Sequence, residues 1–189
     1  MNYREKFSYL FKEMKSVKYF KDIDFFLHPP VNLEMILYVE KKIKKKLPES
    51  MKEFYSQTNG LYFRWFYKSK KNSFPTLRGK SAIGDIENIF SNRIEVFNGK
   101  EWSEEVFWNG KNVTKTEMDL YKKLTILDNL DFGTYVVFSF DEGDNDLKLF
   151  LYSTPNNLIQ LSITFSQYIE CLIQARGMYL WQLYVADLN

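Results

Sequence analysis

The sequence predicts an α+β fold: a central, largely antiparallel or mixed β-sheet flanked by N-terminal helices and a C-terminal helix. Three observations predict it. Apolar residues recur at spacings of three and four over residues 3–20 and again from residue 32, the period of an amphipathic helix. From Thr134 the pattern changes to short apolar runs separated by polar turns, as in a strand meander. A last helical segment follows Thr164, so helices and strands do not alternate as a parallel βαβ arrangement requires.

Each element follows from its residues. In the first helix Tyr3, Phe7, Leu10, Phe11, Met14 and Val17 share a face. The segment from Asp22 ends in His28-Pro29-Pro30, where proline forces an extended turn. Asn32 is placed to cap a second helix, with Glu34 in its first turn and Leu33, Ile36, Val39, Ile43 and Leu47 inward. Lysines 41, 42, 44, 45 and 46 then fall on its outer sides and near its C-terminus, where they solvate the helix, and Pro48 stops it. A short helix with Met51, Phe54 and Tyr55 inward follows, closed by Asn59-Gly60. Residues 61–68, LYFRWFYK, read as an aromatic strand, and residues 80–88 as a short strand followed by a turn. Asn98-Gly99-Lys100 and Asn109-Gly110-Lys111 are candidate hairpin turns. TYVVFSFD, LKLFLYS and LIQLS form the meander, and the final helix turns Tyr168, Ile169, Leu172 and Ile173 inward beside Cys171. The closing MYLWQLYV is helical or extended.

The chain has 189 residues, so a single domain spanning 1–189 is expected. Hydrophobic residues make up 45% and charged residues 26%, the balance of a soluble globule. Aromatics are abundant at 18%, and such side chains serve both cores and protein interfaces. A net charge of only +2 argues against a nucleic-acid binder, whose affinity comes largely from neutralising phosphates. One cysteine excludes an internal disulfide and a four-cysteine zinc site. The start lacks the features of a signal peptide, and no apolar run approaches the ~18 residues of a membrane span, so a cytoplasmic protein is expected.

Three segments, taken in order, resemble the SUKH superfamily of Smi/Knr-like domains. The first is Glu40-KKIKKK-LP-ESMKEFYSQT-NG, the second SAIGDIENI, and the third VVFSFDEGDNDLKLFLYS with LSITFSQYIECLI. The resemblance covers about residues 32–90 and 126–175, leaving an N-terminal helical extension, 1–30, and an insert at about 92–124. It departs from the family at Lys44, where a glycine is common, so the helix is expected to run on. The resemblance implies a single α+β domain that binds proteins rather than performing chemistry. Its most direct implication is an immunity protein that neutralises a bacterial polymorphic toxin; the alternative is an intracellular regulatory adaptor related to cell-wall synthesis regulators.

The residues themselves offer little chemistry. His28 is the one histidine, too few for a multi-histidine metal site, and precedes two prolines. Cys171 sits on an apolar helix face without an activating signature. Asp141, Glu142, Asp144 and Asp146 fail the calcium-loop pattern, because Gly143, Asp146 and Tyr152 stand where a ligand, a glycine and a glutamate are needed. They are expected as a solvated hairpin turn, with a role in binding a basic partner as the alternative. Gly79-Lys80 is not a phosphate loop, since Phe74 occupies the earlier glycine position. No catalytic residue, cofactor site or metal site is expected. The candidate partner-binding residues are those of the acidic turn and Trp102, Glu104, Glu105 and Trp108 of the insert, where aromatic anchors with acidic neighbours suit a basic toxin domain such as a nuclease; the alternative is that the tryptophans simply pack against the sheet.

Overall fold

The computed structural model describes residues 2–68, 77–91, 106–108, 111–113, 115–131, 133–141, 144–153 and 157–186. Helix α1 (Tyr3–Ser16) is capped by the Asn2 side chain and buries Tyr3, Phe7, Leu10, Phe11 and Met14, the stripe its periodicity predicts. Val17, expected on that stripe, instead follows the last helical turn in extended backbone and is exposed. Strand β1 (Phe20–Leu27) comes next, in a segment without a strand pattern of its own. Its inward residues Phe20, Ile23, Phe25 and Leu27 do not alternate strictly, because a bulge with Asp22 at φ 49° shifts the register. Such a bulge also blunts an edge strand against unwanted pairing.

Helix α2 (Leu33–Ile43) starts at the Asn32 cap as expected, yet ends at Lys44, four residues before Pro48. Lys44 takes the left-handed conformation at φ 56°, so the lysine stands in the backbone state that glycine adopts most readily. The expectation of a helix running on is therefore corrected: the turn is made with lysine. Helix α3 (Glu49–Tyr55) buries Met51, Phe54 and Tyr55. Gly60 then enters β2 (Leu61–Tyr67) at φ 93°, where any Cβ would lie 2.5 Å from the Ile83 carbonyl oxygen.

Strands β2, β3 (Leu77–Ile83), β6 (Thr125–Asp131), β7 (Thr134–Ser139), β8 (Lys148–Ser153) and β9 (Asn157–Leu161) join β1 in a seven-stranded sheet. The order is β1-β2-β3-β6-β7-β8-β9, and all neighbours are antiparallel. Between β3 and β6 come a one-turn helix, α4 (Ile86–Ile89), the paired strands β4 (Val106–Trp108) and β5 (Lys111–Val113), and helix α5 (Lys115–Lys123). Strands β4 and β5 pair antiparallel, Trp108 opposite Lys111; the expected turn at Asn109-Gly110 lies outside the described residues. Asn98-Gly99-Lys100 lies outside the described residues.

Helix α6 (Phe165–Gln174) opens with a reciprocal capping box between Thr164 and Gln167, and a 3-10 turn (Trp181–Val185) completes the described chain. One sheet face packs against α1, α3 and α6 to form the main core. The opposite face of β7 and β8 carries Val137, Phe150 and Tyr152, covered by Tyr121 of α5 and by Leu124. Cover on both faces explains why TYVVFS and KLFLYS are continuous apolar runs without alternation. Among the described residues, no helix is long and apolar enough to cross a membrane.

A candidate protein-binding surface

The chain reversal after α2 is organised by a buried carboxylate. Glu40 is 6% exposed; its Oε1 accepts the Leu47 N–H at 2.9 Å and its Oε2 accepts from Lys46 Nζ at 2.9 Å. Lys52 Nζ stands 3.6 Å away. Burial pushes this carboxyl's pKa up, but the bonds from Lys46 and Leu47 and the charge of Lys52 outweigh it and leave the pKa below the ordinary value. Leu47 is thereby drawn into the core, although it lies beyond the helix end.

Lysines 44–46 consequently do not line a helix. Lys45 reaches across to the loop after β7, donating to the Phe140 carbonyl at 2.6 Å with its ammonium 5.5 Å from the Phe140 ring centre. This strut separates two clefts. One, of about 600 Å³, is lined by Leu37, Lys41, Lys44, Phe140, Asp144 and Asn145, among others. The other, of about 520 Å³, lies between Lys42, Ile43, Glu87, Phe90 and Lys123.

Asp144 lines the first cleft and Asp141 the second, and the described carboxylates of the acidic turn have donors beside them. Asp141 lies 4.0 Å from Lys45 Nζ and 3.7 Å from Lys123 Nζ. Asp144 accepts the Asp141 N–H at 2.9 Å and pairs with Lys148 at 3.0 Å. That backbone bond first, and the lysine second, hold its carboxyl below the ordinary pKa. Asp146 accepts from Ser50 Oγ, from its own neighbour Leu147 N–H and, at 3.2 Å, from the Phe165 N–H at the start of α6. It therefore ties α3 to α6. Trp102, Glu104, Glu105 and Glu142 lie outside the described residues; Trp108 is placed by its backbone in β4, and its side chain is likewise outside them.

Sequence periodicity missed the exposed side of α2. Ile36, Val39 and Glu40 are its buried face, so Leu33, expected inward, lies 66% exposed. The reason is angular: the buried stripe centres among residues 36, 39, 40 and 43, and Leu33 falls in the first turn at its edge, towards Leu37. Leu37 (48% exposed) lies one turn on from Leu33 and lines the lysine-rich cleft, and Tyr38 (55%) is exposed further round the helix. The signal available was the run LEMILYVE, apolar on more sides than one buried stripe needs.

Three other groups bear on chemistry. Asp128 of β6 is fully buried and accepts from Ser81 Oγ at 2.7 Å, Ala82 N–H at 2.6 Å and Tyr168 Oη at 2.7 Å. Burial raises its pKa against the pull of these bonds. A lone carboxylate in the apolar stretch TILDNL was its sequence signal. The Cys171 thiol is pushed up by burial and by Glu170, which makes it a poor nucleophile. The His28 ring stands edge-on to Phe26, centroids 4.7 Å apart.

A model of the SMI1/KNR4 family (SUKH-1) matches residues 30–171 of the chain. No curated protein matches it.

Proposed function

The chain belongs to the SMI1/KNR4 family (SUKH-1), and from that premise we propose that it is an immunity protein that neutralises a bacterial toxin domain by binding it. The family is generally non-catalytic and of the immunity type, acting through protein–protein contacts. The observation that carries the reading is the exposed apolar surface of α2: Leu33 and Leu37 lie one turn apart, Leu37 lines the charged cleft, and Tyr38 is exposed further round. Large apolar side chains cost free energy when exposed, and a cluster rimmed by charge marks an interaction site. Tyrosine at such a place supplies contact area at low entropic cost.

The proposed interface runs from α2 across the cleft to Asp141 and Asp144, with Glu142 between them in sequence. Asp146 supports it by anchoring α3 and α6. Trp102, Glu104, Glu105 and Trp108 are proposed as a second contact, on the insert at about 92–124, ahead of α5. The protein acts by occluding the toxin's active site or substrate path. The second reading, an intracellular adaptor, has the same surface bound to a housekeeping protein.

The test is co-expression with the toxin domain encoded beside this chain's gene. Growth is rescued by the wild type and lost with Leu37→Asp/Tyr38→Asp, while the purified variant unfolds at the wild-type temperature. Rescue undiminished by that pair removes α2 from the interface; absence of any toxic neighbour removes the immunity reading.

A further inference from the structure

Charge pairing around the clefts is uneven. Among the described residues three carboxylates at the clefts already have a cation: Glu40 has Lys46 and Lys52, Asp141 has Lys45 and Lys123, and Asp144 has Lys148. Among the described residues Lys41, Lys42 and Lys44 have no such partner, and all three are exposed. The larger cleft joins Lys41 and Lys44 to two apolar surfaces, Leu37 on one side and Phe140 within. It is a groove with unmatched positive charge over an apolar floor.

We propose that this groove takes an acidic segment of a protein partner, with an apolar side chain seated against Leu37 and Phe140 and its carboxylates paired to Lys41 and Lys44. The inference rests on the protein-binding reading above and deepens it by fixing the sign of the partner at α2, opposite to the basic partner that the insert's own glutamates suit. A protein segment fits better than nucleic acid. Two lysines without an ion-pair partner suit a short run of carboxylates, whereas a phosphate chain needs a longer basic track, and the net charge of the chain is only +2. A peptide, by contrast, brings an apolar side chain for Leu37 and Phe140 next to its carboxylates.

The probe is a short peptide of repeating Asp-Glu-Leu, compared with its counterpart carrying Lys at each acidic position and with oligo(dT), using the full chain at low salt. The acidic peptide is expected to bind and to shift the amide resonances of Leu37, Lys41 and Lys44. Lys41→Glu/Lys44→Glu weakens it by tenfold or more, and Lys15→Glu on α1 leaves it unchanged. Binding also falls as salt is raised. The proposal is overturned if no peptide binds, if the lysine peptide binds as well, if the charge reversal has no effect, or if oligo(dT) displaces the acidic peptide. Peptide binding without rescue from any toxin would sink the immunity reading and leave this one standing; rescue undiminished by the charge reversal would do the opposite.

Discussion

Glu40 accepts the backbone N–H of Leu47, seven residues onward, at 2.9 Å from inside the protein. The bond fastens the end of α2 to the start of α3 and places the lysine turn between them at the mouth of the clefts. Removing the carboxylate leaves a buried N–H without an acceptor, which costs about 1–3 kcal/mol. Glu40→Ala should therefore lower stability by that order in urea unfolding, while Glu40→Gln, which keeps an acceptor, loses less. The folded-state pKa lies below the ordinary carboxylate value, so this contribution is present above the unfolded pKa and is lost as pH falls through the folded one. The wild type and Glu40→Gln should converge in stability on acidification.

Lys44 occupies left-handed backbone at φ 56°. Glycine reaches that state without a Cβ penalty, so Lys44→Gly should stabilise the protein by about 0.5–1 kcal/mol, offset in part by the freer unfolded chain. Thermal denaturation reads the gain. A loss of stability would show that the Lys44 side chain makes a contact worth more than the strain.

Gly60 behaves in the opposite way. At its φ of 93° an added Cβ would stand 2.5 Å from the Ile83 carbonyl oxygen, and backbone on that side cannot give way. Gly60→Ala should therefore destabilise by about 2 kcal/mol or more. Circular dichroism during urea unfolding measures it.

Asp128 gathers donors from β3 and α6 at one buried point. Asp128→Ala strands Ser81, Ala82 and Tyr168 and should cost about 3 kcal/mol or more. Asp128→Asn should be milder, because its amide can donate to the two hydroxyls while its oxygen keeps the Ala82 bond. The wild-type pKa is raised, so the folded state holds the proton more tightly. Its contribution is full below the unfolded pKa and falls as pH rises through the folded one. The Asn variant should lose that slope in urea unfolding measured across pH.

The family match begins at residue 30, yet α1 buries five side chains in the main core and β1 forms a sheet edge. Deleting residues 1–29 should expose Phe63, Trp65 and the α6 face, giving a chain that binds a hydrophobic dye and unfolds without a sharp transition. A cooperative transition in the truncated chain would show that the remaining sheet closes its own core.

Much of this was legible in local pattern. The Asn32 cap, the α1 stripe and the β7-β8-β9 meander each follow from neighbouring residues, because their physics is local. Membership of the family was legible too, carried by the order of Glu40, Leu47-Pro48, Asn59-Gly60 and the acidic turn.

What the sequence could not decide was which of several possible partners each group would meet. Strand β1 exists because β2 offers it an edge, and its bulged register hides the alternation that would have announced it. Leu33 is exposed because the sheet and α4 select the other side of α2. Asp141 and Asp144 of the acidic turn have their charge met by Lys45, Lys123 and Lys148, and a charge's effective sign at a surface depends on what folds against it. Local chemistry set the elements; long-range packing chose which lysines stayed free to act.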